Sequence, residues 1–334
     1  MTKTLKKTVK TILFFLTGIG IFWLVYRKQN IDELKNALLS ADYLWIFISL
    51  ILGILSHISR AMRWNLLIYP LGYKPKIINS FFSVMIMYLS NMAIPRSGEI
   101  VRCGVMSKTE NIPVSKLLGT VFTERIIDFI LLFTLLAIVM ITQMQVIIEM
   151  LNNNPGLKSN LSSLMSSVPV LSGVMILLIL AIYVLYRFRH KIKHFSLYKK
   201  VENILKGFAD GIKSILKMER RLEFIAHSVF IWAMYFLMIY IVFRSFNFTE
   251  HLGLLSGLTV FVMSAFGMVA PSPGGIGTWH FMVIQTLMIY GVDKTDAGAF
   301  AFASHESMTL MMIVVGVLSI ILLPAVNKKG KKND

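Results

Sequence analysis

Long apolar runs recur along the chain, separated by polar segments. The first covers Thr11 to Tyr26, and the second runs from Tyr43 to about Ser59, where Arg60 and Arg63 close it. An apolar stretch from Ile77 to Ile94 stops at Pro95, and residues 96–121 are mixed in character. Further runs cover Ile126–Ile141, Val168–Tyr186 and Leu222–Phe243. Leu252–Ala270 breaks at Pro271-Ser272-Pro273-Gly274-Gly275-Ile276-Gly277; the short run Trp279–Tyr290 follows, and Ala297–Leu323 is the last. About 20 apolar residues in a helix span the hydrocarbon core of a bilayer. The pattern predicts an all-α polytopic membrane helix bundle, with residues 1–334 as a single transmembrane domain.

Composition agrees. Apolar residues make up 56% and charged residues 15%, and the mean hydropathy is +0.69. The net charge of +17 would suggest nucleic acid in a soluble protein. Here the basic residues sit between apolar runs, so the expected partners are anionic lipid headgroups. Lys3, Lys6, Lys7 and Lys10, the 60–76 segment, the 187–221 segment and the lysine tail carry most of them, the 187–221 segment alone holding eleven Lys and Arg against three acids. The alternating segments carry few: Arg27, Lys28, Lys35, Lys158, Arg244 and Lys294. Cytoplasmic loops retain Lys and Arg, so both termini and the 187–221 loop are expected in the cytoplasm. Within that loop Val201, Ile204, Leu205, Phe208, Ile212, Ile215 and Leu216 follow a helical period, predicting an amphipathic helix on the inner leaflet. The basic start followed by an apolar run resembles a signal peptide, but no small-residue cleavage pattern follows, so a retained first helix is expected.

That orientation raises a question of parity. Residues 60–76 and 95–121 both fall on the inner side, so 77–94 cannot be a single crossing. By the same count Leu252–Tyr290 starts and ends outside. Each stretch is an apolar helix, a Pro/Ser/Gly break and a second helix: Asn91-Met92-Ala93-Ile94-Pro95-Arg96-Ser97-Gly98 in the first, Gly267-Met268-Val269-Ala270-Pro271-Ser272-Pro273-Gly274 in the second. Interrupted apolar segments in corresponding places of two halves mark inverted repeats around a transport site. Each stretch is expected to be a re-entrant pair or two short crossings, 95–121 itself returning through the membrane in the first, with ordinary surface loops as the alternative.

Charges at membrane depth are costly unless paired, and so mark pathways or internal bonds. Arg96, Glu99 and Arg102 share a face if their segment is helical, and Glu124, Arg125 and Asp128 open the next run. Arginine grips phosphate through two parallel hydrogen bonds. Arg96, Arg102 and Arg125 are therefore candidates for binding a lipid phosphate, held by Glu99, Glu124 and Asp128. A structural salt-bridge network joining helix ends remains open. Gly274, Gly275 and Gly277 let a headgroup approach the main chain, with Thr278 capping the helix beyond. Secondary candidates are Arg60 and Arg63 at the end of the second run, His280, and the intramembrane pair His305 and Glu306. The one cysteine, Cys103, excludes an internal disulfide. No metal spacing, P-loop, dinucleotide fingerprint or nucleophile elbow occurs, so no cofactor, metal or catalytic residue is expected. The longest polar stretch, 35 residues, is too short for a soluble catalytic domain.

Four motifs occur in order: Ser59-Arg60-Ala61-Met62-Arg63-Trp64, Asn91 to Glu99, Glu124-Arg125-Ile126-Ile127-Asp128, and Pro271 to Gly277. Together they resemble the flippase-like family named for the transmembrane region of lysylphosphatidylglycerol synthase, over about residues 10–325. The resemblance implies about eight membrane segments in the plasma membrane. In fused relatives it implies movement of aminoacylated phosphatidylglycerol between leaflets, with aminoacylation in a cytosolic synthase domain that these 334 residues do not contain. Some stand-alone relatives are associated with polyprenyl-phosphate glycosylation. Relatives often carry an acidic residue shortly after the second glycine motif, where this chain has Trp279-His280. The expectation is a non-enzymatic translocator of an anionic lipid, either a phospholipid or a polyprenyl-phosphate-linked lipid. Two rivals stay open. One is a membrane-embedded transferase using Glu124, Asp128 or His280 as a base. The other is a non-transporting partner of a lipid synthase or glycosyltransferase.

Overall fold

The computed structural model describes residues 19–27, 30–94, 96–144, 218–270 and 272–328, with Leu16 and Ile148 as single residues. The expected span Val168–Tyr186, the basic loop as far as residue 217 with its amphipathic helix, Pro95, Pro271 and the lysines beyond 328 lie outside the described residues. Residues 1–143 and 218–334 form one compact unit, to which the elements below belong. No strand occurs among the described residues.

Among the described residues ten α-helices follow one another: α1 (residues 19–26), α2 (Ile31–Leu39), α3 (Tyr43–Ile68), α4 (Ile77–Ala93), α5 (Gly98–Glu110), α6 (Val114–Thr142), α7 (Arg221–Val242), α8 (Leu254–Val269), α9 (Thr278–Ile289) and α10 (Lys294–Lys328). Among the described residues four helical stretches are long and apolar enough to cross a membrane: Tyr43–Leu71, Val114–Thr142, Arg221–Ser245 and Lys294–Asn327. The chain is thus an all-α polytopic membrane bundle. α2 starts where Asn30 accepts the Asp32 and Glu33 N–H groups, and α3 starts where Asp42 accepts that of Leu44. Such caps satisfy donors that the first helical turn leaves open.

Two boundaries differ from the hydropathy reading. α3 does not end at Ser59 but continues through Arg60 and Arg63 to Ile68, burying Ala61, Trp64, Leu66, Leu67 and Ile68. α6 begins at Val114 rather than Ile126, so Glu124, Arg125 and Asp128 lie inside it. Hydropathy treats charge as an edge. These charges neutralise one another across helices, so the helices continue past them.

The helix ends gather at two opposite ends of the bundle. At the basic end, Glu110 of α5 accepts hydrogen bonds from the Lys76 N–H (3.0 Å) and the Asn79 amide (2.6 Å) at the start of α4. Asn79 also pairs with Asn327 of α10 at 3.0 Å. Lys116 lies over the Tyr73 ring and Arg220 over that of Tyr69. At the acidic end, the Asp42 N–H donates to the Ser245 carbonyl at 2.9 Å. The Tyr290 hydroxyl, just past α9, lies 3.0 Å from Thr259 Oγ1 near the start of α8 and 3.1 Å from Gln143 Oε1 after α6. Ala41, Phe246, Leu252 and Val292 share one apolar cluster there.

These contacts settle the parity question. α4 and α5 form a hairpin that starts and finishes at the basic end, and α8 and α9 form one that starts and finishes at the acidic end. With 17 and 16 residues, α4 and α8 fall short of the roughly 20 needed for a crossing. The two breaks lie close together: a β-carbon at Gly274 would sit 3.8 Å from Met92 Cγ. Each hairpin closes on a glycine. The Gly98 N–H donates to Asn91 Oδ1 at 2.7 Å, and a β-carbon on Gly98 would come within 2.5 Å of the Met87 carbonyl oxygen. One on Gly267 would lie 2.7 Å from Trp279 Cα.

Two outcomes follow from this arrangement. Lys74→Cys and Asn111→Cys should react with an impermeant maleimide from one side of the membrane, and Glu250→Cys and Asp293→Cys from the other. Labelling of 74 and 111 from opposite sides would rule out the first hairpin. Gly267→Ala should destabilise the detergent-solubilised protein by about 1–3 kcal/mol, because backbone cannot yield as a side chain does. Gly104→Ala, with nothing within 4 Å of the new carbon, should leave the melting temperature level or raise it.

Candidate functional site

Helical spacing sets up the polar centre. Arg60 and Arg63 are three apart on α3, and Glu124 and Asp128 are four apart on α6, so each pair shares one helix face. The faces meet. Arg63 donates to Asp128 Oδ1 at 2.8 Å and to Glu124 Oε1 at 3.0 Å. Arg102 of α5 donates to Glu124 Oε2 at 2.8 Å and lies over the Trp64 ring, 4.2 Å from its centroid. The Trp64 indole N–H donates to Thr120 Oγ1 at 2.9 Å. From α7, Ser228 lies 3.3 Å and Trp232 3.4 Å from this network, at Arg63 and Asp128 respectively.

Arg60 is held more loosely, 3.6 Å from Glu124 and 3.5 Å from Asp128. Its guanidinium carbon lies 6.0 and 5.8 Å from the rings of Tyr88 and Tyr235, whose hydroxyls are 3.1 Å apart. Arg125 reaches Glu124 at 3.4 Å, Asp128 at 3.5 Å and Glu99 at 4.0 Å, yet its side chain is 41% exposed. Arg63, Arg102 and Glu124 are fully buried. Arg60 lies about 12 Å along α3 from the Ile68 end, and Glu124 about 15 Å along α6 from Val114. Those distances are about half the thickness of a hydrocarbon core, roughly 30 Å.

The centre holds four arginines against three carboxylates, Glu99, Glu124 and Asp128. Arg60 Nε, Arg63 Nε, Arg102 Nε and Nη1 and Arg125 Nε are buried without a hydrogen-bond acceptor, against one carboxylate oxygen, Asp128 Oδ2, without a donor. Buried donors are normally satisfied. The cluster therefore carries surplus positive charge and spare donors, which suit an anion with several acceptor oxygens.

The second break carries its own polar group. Gly274, Gly275 and Gly277 all have positive φ, which suits glycine. Thr278 is the first residue of α9 and not its cap, since Gly277 holds that position. The Thr278 hydroxyl donates to the Gly267 carbonyl at 2.7 Å, leaving Ser272, also at 2.7 Å, to donate to Thr278. Thr278 thus ties α9 to the end of α8. His305 Nε2 donates to the Gly274 carbonyl at 2.9 Å, and Glu306 faces both His280 and His305.

The structure therefore splits the sequence candidates. Glu99, Arg102, Glu124, Arg125 and Asp128 join one network. Arg96 does not: it is exposed, precedes α5 in the left-handed region (φ 62°), and among the described residues forms no ion pair. Arg60 and Arg63, ranked second as residues closing a span, are central. Their signal was legible as a three-residue step complementary to the four-residue step of Glu124 and Asp128. Trp64, Tyr88, Thr120, Ser228, Trp232 and Tyr235 carried no such signal, because they are ordinary in apolar helices.

Paired broken hairpins around a charged centre at mid-depth, in an all-α bundle, define a polytopic integral membrane protein of the inverted-hairpin kind. The chain belongs to the family described as Lysylphosphatidylglycerol synthase TM region, whose family model matches residues 10–316. Two relatives are membrane proteins of Methanocaldococcus jannaschii. The UPF0104 membrane protein MJ1595 is 30% identical over 141 residues, 41% of each chain. The UPF0104 membrane protein MJ1078 is 25% identical over 252 residues, 72% of this chain and 92% of that one. The match thus spans about two fifths of the first relative's length and nearly all of the second's. No solved structure matches the chain.

Removing one member of a buried pair strands its partner's charge, at about 3–5 kcal/mol. Arg63→Ala should therefore lower the melting temperature strongly. Arg125→Ala, at the exposed rim, should be worth about 1 kcal/mol or less. Equal effects in thermal unfolding would contradict the depth assigned to the network.

Proposed function

We propose that the protein translocates an anionic lipid across the plasma membrane, its phosphate passing the arginine centre while its acyl chains stay in lipid. The observation that carries this reading is the excess of guanidinium donors over carboxylates at mid-depth beside two opposed hairpins. Arg125, at the exposed rim, and the loosely held Arg60 are the residues that meet the phosphate. Arg63 and Arg102, locked onto Glu124 and Asp128, keep the carboxylates from competing for it. Arg96, exposed before the first hairpin's second helix, belongs to the entry route. The Tyr88–Tyr235 hydroxyl pair stands beside Arg60 and parts when the headgroup arrives.

A second feature supports the reading. An apolar cavity of about 540 Å³ lies among α1, α8 and α9, lined by Leu24, Val25, Phe266, Phe281 and Met282 and bordered by Thr278. It is placed to take an acyl chain next to the second break. In this reading the basic end faces the cytoplasm, in keeping with Lys/Arg retention, and the lipid leaves with its covalent structure unchanged, so the chain acts as a carrier and not an enzyme. The cargo class is a phospholipid or a polyprenyl-phosphate-linked lipid. A lipid synthase or glycosyltransferase is the natural partner to deliver it.

The test is translocation of a fluorescent anionic phospholipid in proteoliposomes. Arg125→Gln should slow it roughly tenfold or more, the loss of a charge-assisted hydrogen bond, while the protein keeps its melting temperature. Arg96→Gln should slow it less. Wild-type rates in a folded Arg125→Gln protein would remove this centre from the pathway, and a lipid product of altered mass would favour a transferase.

A further inference from the structure

The second break touches α10 through a group of three titratable side chains. Both histidines are fully buried, and the Glu306 side chain is 36% exposed. His305 Nε2 is 2.9 Å from the Gly274 carbonyl oxygen, and its Nδ1 is 3.2 Å from Glu306 Oε1. His280 Nε2 lies 3.5 Å from the same carboxylate oxygen, and the two rings are 4.6 Å apart. The Gly277 N–H donates to His280 Nδ1 at 3.4 Å.

The hydrogens can be counted. A carbonyl oxygen only accepts, so His305 Nε2 carries a hydrogen. A neutral imidazole has one N–H. Its Nδ1 would then present a lone pair to an ionised carboxylate at 3.2 Å, which is repulsive. The contact requires one more proton, on His305 Nδ1 or on Glu306. At His280 the accepted N–H fixes the ring's own hydrogen on Nε2, the atom facing Glu306. That tautomer has no lone pair on Nε2, so it favours a proton over a metal ion among these three groups.

We propose that His305 and Glu306 share one exchangeable proton, with His280 as a positioning residue, and that this proton latches the second hairpin to α10. With the proton present, the His305 imidazolium bonds the Gly274 carbonyl and holds its α10 neighbour Glu306 beside His280 of α9, so that the hairpin meets α10 at two points. When it leaves, through the exposed side of Glu306, the carboxylate and Nδ1 repel at 3.2 Å, and Glu306 swings out from His305, giving up its longer 3.5 Å contact with His280 as well. No covalent bond to carbon changes. The hairpin is then held at Gly274 alone and is free to shift against α10. Among the described residues the other groups facing this site are few. Tyr26 of α1 lies edge-on to His280, 5.7 Å between centroids, with its hydroxyl donating to the Gly298 carbonyl. The Thr309 hydroxyl is 3.5 Å from His305 Nδ1, and residues 89–94 of the first hairpin include no ionisable side chain. Glu33 and Asp296 line a separate cleft at the acidic end. The latch supplies an energy source for lipid movement, and that coupling rests on the translocation reading; the proton site does not.

The site is tested on the full chain in bilayers, by solid-state NMR of ¹⁵N-histidine together with infrared spectroscopy of carboxyl groups. The expected result is a doubly protonated His305 or a protonated Glu306 that deprotonates as one event, abolished by Glu306→Gln. A neutral His305 beside an ionised Glu306 from about pH 5 to about pH 8 in the wild type would overturn it, as would a stoichiometric divalent metal removed by His305→Gln. In proteoliposomes, an imposed pH gradient should change the wild-type translocation rate several-fold and leave that of Glu306→Gln unchanged. Wild-type translocation indifferent to the gradient would overturn the coupling. A sound proton signal in a chain that moves no lipid would overturn the translocation reading and leave the proton site standing.

Discussion

The bundle depends on Arg63 meeting Glu124 and Asp128 in a place where water cannot help. A lone guanidinium or carboxylate at that depth is several kcal/mol out of balance. Once paired, the charges make α3 and α6 continuous through a polar stretch and draw α5 in through Arg102. α7 closes the same centre with Ser228 and Trp232. Four helices are thus registered against one another by a geometry that apolar packing alone would leave loose, since lipid tails compete equally well for an apolar helix face.

Around that anchor the two hairpins make a matched pair. One is stitched shut at the basic end by Glu110 and Asn79, the other at the acidic end by Tyr290 and Thr259. Their tips expose irregular backbone, which is tolerated in a membrane only where protein or a polar cavity surrounds it. Here the tips shield each other, through Met92 against Gly274, and His305 satisfies the Gly274 carbonyl. The arginine centre thus takes in the first hairpin through Arg102 of α5, and the histidine–glutamate group takes in the second through His280 of α9. A phosphate at the first and a proton at the second would each act on a hairpin whose tip touches the other's, Met92 against Gly274. That relation links the two proposals physically.

Much of this was legible in the chain itself. The apolar runs predicted an all-α membrane bundle, and the four ordered motifs pointed to the family that the comparison then showed. The parity of basic segments excluded single crossings at 77–94 and 252–290, and the hydrogen bonds at Glu110 and Tyr290 bring both ends of each stretch to one end of the bundle. Less legible was which arginines matter. Arg96 looked equivalent to Arg102, but a backbone outside the helix turns it away, while Arg60 and Arg63 looked like edge residues because hydropathy cannot see a partner on another helix.

The sequence alone determined what must lie in lipid, where the helices break and which residues carry charge, because transfer from water to hydrocarbon and the backbone demands of glycine and proline are local properties. The tertiary structure decided which charges face one another, how deep they sit and which carbonyl His305 holds, because pairing depends on distances between helices far apart in the chain.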